Sequence, residues 1–383
     1  MKTVGIICEY NPLHLGHKKQ LDIIRAENGA DCGIVCLMSG NFVQRGAPAI
    51  FDKSLRAKAA ILSGADLVLE LPVTYALSSA EGFASGGVKI LSGFCDGLSF
   101  GAEAGDRELL LNTAEALLSP GFPPLLRQEL DRGKSFPAAR QAALERMGLK
   151  GELLSKPNNI LAVEYCKAVL RRSSGMELMP IAREGSYHDA VPDPVNPSAT
   201  AVRNLILAGG DWLPYVPSET WATFDGASVH TMAAGELAVL ARLRTVSEAE
   251  FEDLPYGSEG LWRKFMAACK SEATVEEILT AVKSKRYTRT RLDRMLMCAV
   301  LGISREVLQQ PAPYTRVLAM NDRGREILKK ARLSGEFLHI GEKTADPYWE
   351  LEQRCSDLYG LFCVHGPEKP GMEPKRRIAY CRE

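Results

Sequence analysis

An apolar run that ends in a turn rich in histidine and glycine constrains the fold of this chain more than any other feature. Val4–Ile7 predicts a short buried strand, and the turn NPLHLGH at residues 11–17 opens into an amphipathic helix. His14 and His17 fall on one side of the first helical turn, where free backbone N–H groups and the helix dipole attract anions. Gly16 lets phosphate oxygens approach the backbone. Strand, turn and helix together predict a nucleotide-handling α/β site.

The two histidines have a second interpretation, in which they cap the helix or bind a structural metal ion. A zinc site needs further ligands at suitable spacing, and no nearby pair of cysteines supplies them. Two of only six histidines in 383 residues lie in this one turn. We therefore favour the nucleotide site and predict no metal-ligating residues.

The first half of the chain alternates apolar segments with segments of helical spacing, which is typical of a Rossmann-like doubly wound parallel sheet. In such sheets ligands bind beyond the carboxyl ends of the strands. The histidines after the first strand, Gly101 after the fourth and Arg183 after the fifth all occupy such positions. The predicted strands are Val4–Cys8, Gly33–Met38, Leu67–Leu71, Gly97–Phe100 and Leu178–Ile181, and the predicted helices are Leu15–Glu27, Ser54–Ser63, Arg107–Leu118 and Ile160–Arg172.

The second half of the chain reads as mainly helical. We predict a catalytic domain over residues 1–210, with a helical insertion at about 107–150, and a mainly α-helical domain over residues 211–383. The predicted helices of the second half are Ala234–Arg244, Val275–Lys283 and Arg289–Leu301, followed by a strand-helix-strand unit of Thr315–Met320, Gly324–Ala331 and Phe337–Ile340.

The amino-acid composition is that of an ordinary globular protein and excludes few classes of function. Lys plus Arg equals Asp plus Glu, 47 each, so any surface for nucleic acid must be local. The ten cysteines are scattered and include no CxxC pair, which favours a reducing cytoplasm. No apolar run approaches the length that a membrane span needs, and no segment indicates a protein partner. Four cysteines lie in apolar runs and are predicted to be core residues: Cys8, Cys36, Cys166 and Cys298.

A second motif lies far from the first. Residues 198–203, SATAVR, follow a stretch rich in proline, and Ser198 or Thr200 can cap a helix while Arg203 offers a forked donor to phosphate. The order HxGH followed by SxTx(I/V)R resembles the (H/T)xGH nucleotidyltransferase superfamily, which includes adenylyltransferases of cofactor synthesis.

Longer blocks resemble one family more closely, the bacterial tRNA(Met) cytidine acetate ligases. The resemblance implies an enzyme that adenylates acetate with ATP, releasing pyrophosphate, and then acetylates N4 of the wobble cytidine of elongator tRNA(Met). The blocks are GIICEYNP at 5–12, MSGNFVQRG at 38–46, KPNNIL at 156–161 and REGSYHD at 183–189, with looser agreement at 285–289 and 316–318.

Motif positions and resemblance together give a candidate site. Acetate is already ionised at neutral pH, so the enzyme must position reactants and stabilise negative charge rather than supply a base. The predicted catalytic residues are His14 and His17, which would donate to phosphate oxygens, and Arg203, which would hold the leaving pyrophosphate. Mg²⁺ is expected to accompany ATP, although no ligand set for it is visible. The predicted ATP-binding residues are Ile7, Cys8, Glu9, Tyr10, Asn11, Pro12, Leu13, His14, Leu15, Gly16, His17, Lys18, Gly101, Asn158, Arg183, Ser198 and Thr200.

Several other polar residues are weaker candidates. A loop after the second strand carries polar side chains that could bind acetate, pyrophosphate or cytidine, or could simply satisfy the loop's own backbone. Glu9 and Asp66 more often pair locally, as lone acids at strand ends do. The loop residues in question are Asn41, Gln44 and Arg45, and a further pair that could orient each other is His188 and Asp189.

A basic cluster in the second half is the candidate surface for RNA, with a solvated helix face as the alternative. Asp293 is the only acid within it, and Tyr287 could stack on a base. The cluster consists of Lys283, Lys285, Arg286, Arg289, Arg291 and Arg294, and a weaker second group consists of Arg323, Arg325, Lys329, Lys330 and Arg332.

Two other functions stay open from the sequence. A small-molecule adenylyltransferase would share both motifs but would give no role to the long helical second half. A non-enzymatic RNA-binding module with a vestigial nucleotide site would explain the basic cluster but not the motifs.

Overall fold

The computed structural model describes residues 1–183, 192–331, 338–339 and 346–382, with the backbone alone at 338–339. Its strands are β1 (Thr3–Cys8), β2 (Gly33–Ser39), β3 (Phe42–Val43), β4 (Ala47–Pro48), β5 (Leu67–Leu71), β6 (Gly97–Ala102), β7 (Glu177–Ala182), β8 (Thr315–Met320), β9 (Leu338–His339) and β10 (Ala379–Tyr380).

The main sheet has the predicted doubly wound topology. Five parallel strands follow the order β7-β6-β1-β2-β5. The chain first adds β2 and β5 on one side of β1 and then adds β6 and β7 on its other side. The strand order therefore reverses between β1 and β6, and this crevice is where such folds bind ligands. Each of the five strands predicted in the first half is present, which confirms the Rossmann-like fold class.

Helices cover both faces of the sheet and make up most of the second half of the chain. They are α1 (Leu15–Asn28), α2 (Lys53–Leu62), α3 (Val73–Ala76), α4 (Ala80–Leu91), α5 (Arg107–Leu118), α6 (Phe122–Asp131), α7 (Phe136–Arg146), α8 (Pro157–Arg172), α9 (Ala199–Leu207), α10 (Trp221–Phe224), α11 (Glu236–Thr245), α12 (Glu248–Glu252), α13 (Leu261–Ser271), α14 (Val275–Val282), α15 (Arg289–Leu301), α16 (Arg305–Gln309), α17 (Asp322–Lys330) and α18 (Pro347–Tyr359).

Alternation along the strands builds the core. Ile34 and Cys36 of β2 face one layer together with Leu21 of α1, whereas Val35 and Leu37 face the opposite layer. Every residue of β2 is buried, because helices cover both faces of a parallel sheet and its strands are therefore apolar throughout. The four cysteines predicted as core residues are buried and unpaired.

The second half of the chain also contributes to the sheet. β8 pairs antiparallel with β5, and β10 pairs parallel with β8, so the sheet contains strands from both sides of residue 210. The domain boundary at residue 210 stays a prediction. β9 covers two residues of the predicted strand 337–340, and the other two lie outside the described residues. Within the described parts of the chain, no helix is both long and apolar enough to cross a bilayer.

A buried charge cluster joins the sheet to the distant C-terminal segment, and it consists of Lys53, Glu70, Arg316 and Glu373. The Lys53 ammonium lies 2.6 Å from carboxylate oxygens of both Glu70 and Glu373, and Arg316 also donates to Glu373. Burial alone would lower the pKa of Lys53, but the two carboxylates outweigh burial and raise it. Lys53 is therefore charged, and the cluster is internally paired.

Candidate active site

The two histidines of the turn lie against each other at the start of α1. Their ring centroids are 3.7 Å apart and nearly parallel, and the Tyr10 ring packs 4.9 Å from His17. His14 occupies the position that precedes the helix and is only 1% exposed, whereas His17 is partly exposed. The sequence pattern thus places both imidazoles beside the first free N–H groups of a 14-residue helix, as predicted.

Hydrogen bonding fixes the tautomer of His17. The backbone N–H of His14 donates to Nδ1 of His17 over 3.3 Å, so in the neutral ring the proton resides on Nε2. Burial, the neighbouring His14 and Arg183 all lower the pKa of His17 well below its usual range. Burial, followed by the charges of Arg183 and Arg203, lowers the pKa of His14 to about 3. Both rings are therefore neutral at pH 7, and His17 offers an N–H donor from Nε2.

The second motif lies beside the first. Ser198 precedes α9 and its hydroxyl accepts from the N–H of Ala201 over 3.2 Å, which is the capping role predicted for it. Arg203, one turn further on, donates to the carbonyl oxygen of Asn11 over 2.6 Å and to the hydroxyl of Thr200 over 3.1 Å. The guanidinium is therefore held at the HxGH turn, 192 residues away in sequence.

Gly16 lies between the His14 ring and the segment that precedes the second motif. A Cβ atom built there would lie 3.1 Å from the His14 ring and 3.8 Å from the carbonyl oxygen of Pro197. Any larger residue would press against the ring that packs on His17. The glycine therefore keeps the imidazole pair in place and leaves the helix N-terminus accessible.

A third group of predicted residues converges on the carboxyl end of β6. The Arg183 side chain lies over Gly101, where an added Cβ would come within 2.8 Å of it, and its guanidinium reaches Oδ1 of Asn158 over 3.4 Å. Glu103 completes the group, because its carboxylate accepts from the side chain of Asn158 and from the backbone N–H groups of Asn158 and Asn159. Glu103 was missed in the sequence, although it lies in a strand-end position of the kind used to select Gly101.

The apolar members of the first motif face the core. Tyr10, Leu13 and Cys8 are at most 9% exposed, and the Tyr10 hydroxyl lies 3.4 Å from the Cys36 sulfur. Only their backbone groups can reach a nucleotide, and that role stays a prediction. Lys18 contacts Asp22 on the same helix, and its role at the nucleotide stays a prediction.

A buried arginine, whose role the sequence did not reveal, holds the loops next to the HxGH motif. The guanidinium of Arg56 is fully buried and donates to four carbonyl oxygens, which include those of the residue after β1 and of the last residue of β2. The four residues are Phe51, Glu9, Ser39 and Gly40. Arg56 therefore positions the loops that follow these strands. A lone arginine within a helical pattern gives no local signal of this role.

The weaker polar candidates mostly serve the structure. Asn41 accepts from the N–H of Lys53 over 2.9 Å, and Glu9 accepts from the N–H of Gln44 over 2.8 Å. Asp66 bonds the N–H of Ile34 and the side chains of Arg25 and Asn321, as expected for an acid that pairs locally. His188 and Asp189 lie outside the described residues, as does Arg332 of the second basic group.

The basic cluster divides into two parts. Lys283 and Lys285 are exposed, and Arg286 makes an exposed ion pair with Glu259, which contributes little to stability. The other three arginines bond within the protein: Arg289 to Glu276 and Asp293, Arg291 to the carbonyl of Tyr256, and Arg294 to the carbonyl of Gln44.

Comparison with known proteins supplies independent evidence. The family model described as HIGH Nucleotidyl Transferase matches residues 1–370. The tRNA(Met) cytidine acetate ligase of Acetivibrio thermocellus is 33% identical, with 99% of each chain covered, and that of Alkaliphilus metalliredigens is 36% identical, with 100% of this chain and 99% of the other covered.

Solved structures agree with these relatives. Apo TmcAL of Thermotoga maritima is 31% identical with a TM-score of 0.89, and both chains are covered in full. The same enzyme bound with alpha-thio ATP is 30% identical with a TM-score of 0.88, again over the full length of both chains.

Proposed function

This chain belongs to the HIGH nucleotidyl transferase family and, within it, to the tRNA(Met) cytidine acetate ligases, and from this premise we propose that it links acetate to tRNA at the expense of ATP. In the first step a carboxylate oxygen of acetate attacks the α-phosphorus, the bond to the β-phosphate breaks, and pyrophosphate leaves. In the second step N4 of the wobble cytidine of elongator tRNA(Met) attacks the acetyl carbon, AMP leaves, and the amine loses a proton. Atoms and charge balance without a redox partner.

The observation that carries this proposal is the convergence of two neutral imidazoles and one guanidinium at the start of α1. The Nε2–H of His17 can donate to a phosphate oxygen without a charged ring, and Nδ1 of His14 is a buried polar atom with no partner among the described residues. Arg203 adds a permanent positive charge at the same turn, where pyrophosphate would accumulate negative charge.

The remaining predicted residues fit the nucleoside end of ATP. Gly101 and Arg183 border the crevice between β1 and β6, and Glu103 fixes Asn158 beside them. We propose that ATP spans this crevice, with its triphosphate at the imidazole pair. The ligand that the Thermotoga maritima enzyme holds, alpha-thio ATP, supports the choice of nucleotide.

Mg²⁺ is proposed to enter as a chelate of ATP. Among the described residues, no group of three His, Cys, Asp or Glu side chains close enough to share an ion occurs at the HxGH turn. Phosphate oxygens and water commonly supply most ligands of Mg²⁺, so this site does not require a carboxylate cage.

The surface proposed for tRNA is the exposed part of the basic cluster, Lys283, Lys285 and Arg286. It precedes α15, and Arg294 of that helix reaches the loop whose Gln44 contacts Glu9, the residue that follows β1. A short series of contacts therefore links the surface to the site of adenylation. A tRNA substrate and ten unpaired cysteines support a cytoplasmic location.

The direct test combines purified protein with ATP, labelled acetate and a tRNA pool. We expect label on the wobble cytidine of elongator tRNA(Met) and release of both AMP and pyrophosphate. Exchange of pyrophosphate with ATP that depends on an acid other than acetate, with no label on tRNA, would exclude this substrate. Dinucleotide formation from a phosphorylated precursor would instead favour the small-molecule adenylyltransferase.

The proposal that tRNA binding and acetate activation use different surfaces can be tested separately with Lys285→Glu combined with Arg286→Glu. We expect weaker tRNA binding with a smaller salt dependence, because phosphate contacts are lost, while acetate-dependent pyrophosphate exchange is retained. Lys329→Glu combined with Lys330→Glu, on the second basic group, is the matched control. Equal loss of tRNA binding in both variants would contradict the proposed surface.

A further inference from the structure

Three side chains that are far apart in sequence meet on the side of the molecule behind the HxGH turn. The ligand atoms of His230, Cys363 and Glu368 all lie within 4.8 Å of one another. His230 and Cys363 are buried, whereas Glu368 is exposed. We propose that these three residues bind a zinc ion.

The hydrogen bonding of His230 is the first argument. The residue is 2% exposed, yet neither ring nitrogen has a hydrogen-bond partner among the described residues. A buried neutral imidazole ordinarily satisfies both nitrogens, one as a donor and one as an acceptor. The ring is otherwise well held, since it stacks on Tyr359 at 4.0 Å. An ordered ring with open nitrogens, close to a thiol and a carboxylate, is the arrangement of a metal ligand.

The position of the carboxylate is the second argument. An oxygen of Glu368 lies 3.2 Å from Nε2 of His230, yet this nitrogen has no hydrogen-bond partner among the described residues. Two ligands of one tetrahedral zinc ion, each about 2.1 Å from the metal, lie about 3.4 Å apart. The observed separation agrees with shared coordination.

The donor set selects the metal. Imidazole nitrogen, thiolate sulfur and carboxylate oxygen together favour zinc, whereas Mg²⁺ and Ca²⁺ bind oxygen ligands. Binding would displace the Cys363 proton to solvent, because zinc binds the thiolate. Because Glu368 lies at the surface, water can supply the fourth ligand.

The backbone around the cluster gives the ion a structural consequence. Residues 229–231 pair with residues 362–364, and the N–H of His230 also donates to the carbonyl of Ile50 over 2.9 Å. The N–H of Ile50 in turn donates to the side chain of Asn11 over 2.7 Å. Zinc would therefore fasten the C-terminal segment against the loop that supports the HxGH turn.

The test is the metal content of the purified full-length protein after dialysis against a weak chelator. We expect about one zinc ion per chain by elemental analysis, and a marked loss of zinc in Cys363→Ser. Cys269→Ser, which changes an equally buried cysteine in α13, should retain the metal. Wild-type protein that holds no zinc, or equal zinc in both variants, would overturn the proposal.

Two further measurements guard against a misfolded variant. Co²⁺ added to the metal-free protein should give a thiolate charge-transfer band that Cys363→Ser abolishes, and a band that persists in this variant would count against the site. Glu368→Gln changes an exposed side chain and should fold. Changes outside the first coordination shell already reduce metal affinity by about 10–100-fold, so we expect at least that loss in a chelator competition. Unchanged zinc affinity would refute the role of Glu368 and, with it, the three-residue site.

Discussion

Two regions, the HxGH turn that follows β1 and the charge cluster on β5 and β8, bury polar groups in opposite ways. At the HxGH turn, His14 and His17 are held neutral, and Nδ1 of His14 has no partner among the described residues. In the charge cluster, Lys53 and Glu373 are ionised and bond to each other. The difference teaches that burial alone does not identify a functional site. Polar groups that satisfy one another stabilise a fold, whereas groups whose bonding capacity stays open are available to a ligand.

The largest expected effect concerns the charge cluster. Lys53→Met would leave Glu70 and Glu373 close together without the ammonium between them, and removing one partner from a buried pair costs about 3–5 kcal/mol of unfolding free energy. Urea unfolding measures the change. Lys329→Met removes a partner from an exposed pair with Glu326 and should cost less than about 1 kcal/mol. Similar losses in the two variants would show that the charge cluster is not the structural element described here.

The next largest effect concerns the HxGH turn. His17→Ala removes the Nε2–H donor, and we expect acetate-dependent exchange of pyrophosphate with ATP to fall about ten- to a thousandfold, with tRNA binding retained. Thermal stability should change little compared with Lys53→Met. His365→Ala, at an exposed position, is the matched control. Full exchange activity in His17→Ala would remove this imidazole from the mechanism.

A smaller effect concerns the acid side of the stability profile. The folded-state pKa of His14 is about 3, below its ordinary value of 6.5, so its contribution to stability is present above pH 6.5 and is lost as the pH falls toward 3. A ring with such a lowered pKa can change the free energy of unfolding by up to about 1.4 kcal/mol per pH unit. His14→Gln should flatten the decline that urea unfolding records between pH 6.5 and 4.5. An unchanged slope would mean that the ring is protonated in the folded protein.

The smallest effect has the opposite sign and lies beside the charge cluster. Burial, followed by the charge of Glu70, raises the pKa of Glu352 from 4.5 to about 8. Its contribution to stability is therefore present below pH 4.5 and is lost as the pH rises through 8. Glu352→Gln keeps the shape of the side chain and should reduce the loss of stability between pH 7 and 8.5, at less than about 1.4 kcal/mol per pH unit. A steeper alkaline decline in the variant would contradict this assignment.

The sequence predicted those features that have a local signature. Apolar runs with strand length and the turn that follows Cys8 predicted β1 and its neighbours, and the strand-end rule led to Gly101 and Arg183. The cap at Ser198 and the placement of Arg203 followed from the second motif. In the structure Arg203 bonds to the HxGH turn and Arg183 lies beside Gly101, whereas the roles of these residues in catalysis stay predictions.

The remaining features depend on contacts between distant residues. Arg56 resembles any helical arginine until its four carbonyl partners are known, and β8 reads as a strand without revealing that it pairs antiparallel with β5. Of the three proposed zinc ligands, His230 lies more than a hundred residues before Cys363 and Glu368, so a spacing rule could not bring the three together, and the prediction of no metal-ligating residues rests on such a rule. Such features require the folded topology.

The 320-residue separation between Lys53 and Glu373 has a consequence for how this protein is made. The Glu373 carboxylate, which bonds to both Lys53 and Arg316, is synthesised after both of them. This edge of the sheet therefore cannot form completely during early translation. Until Glu373 leaves the ribosome, Lys53 has only Glu70 as a carboxylate partner and Arg316 lacks its bond to Glu373, and this interval is when chaperones would find the chain most exposed.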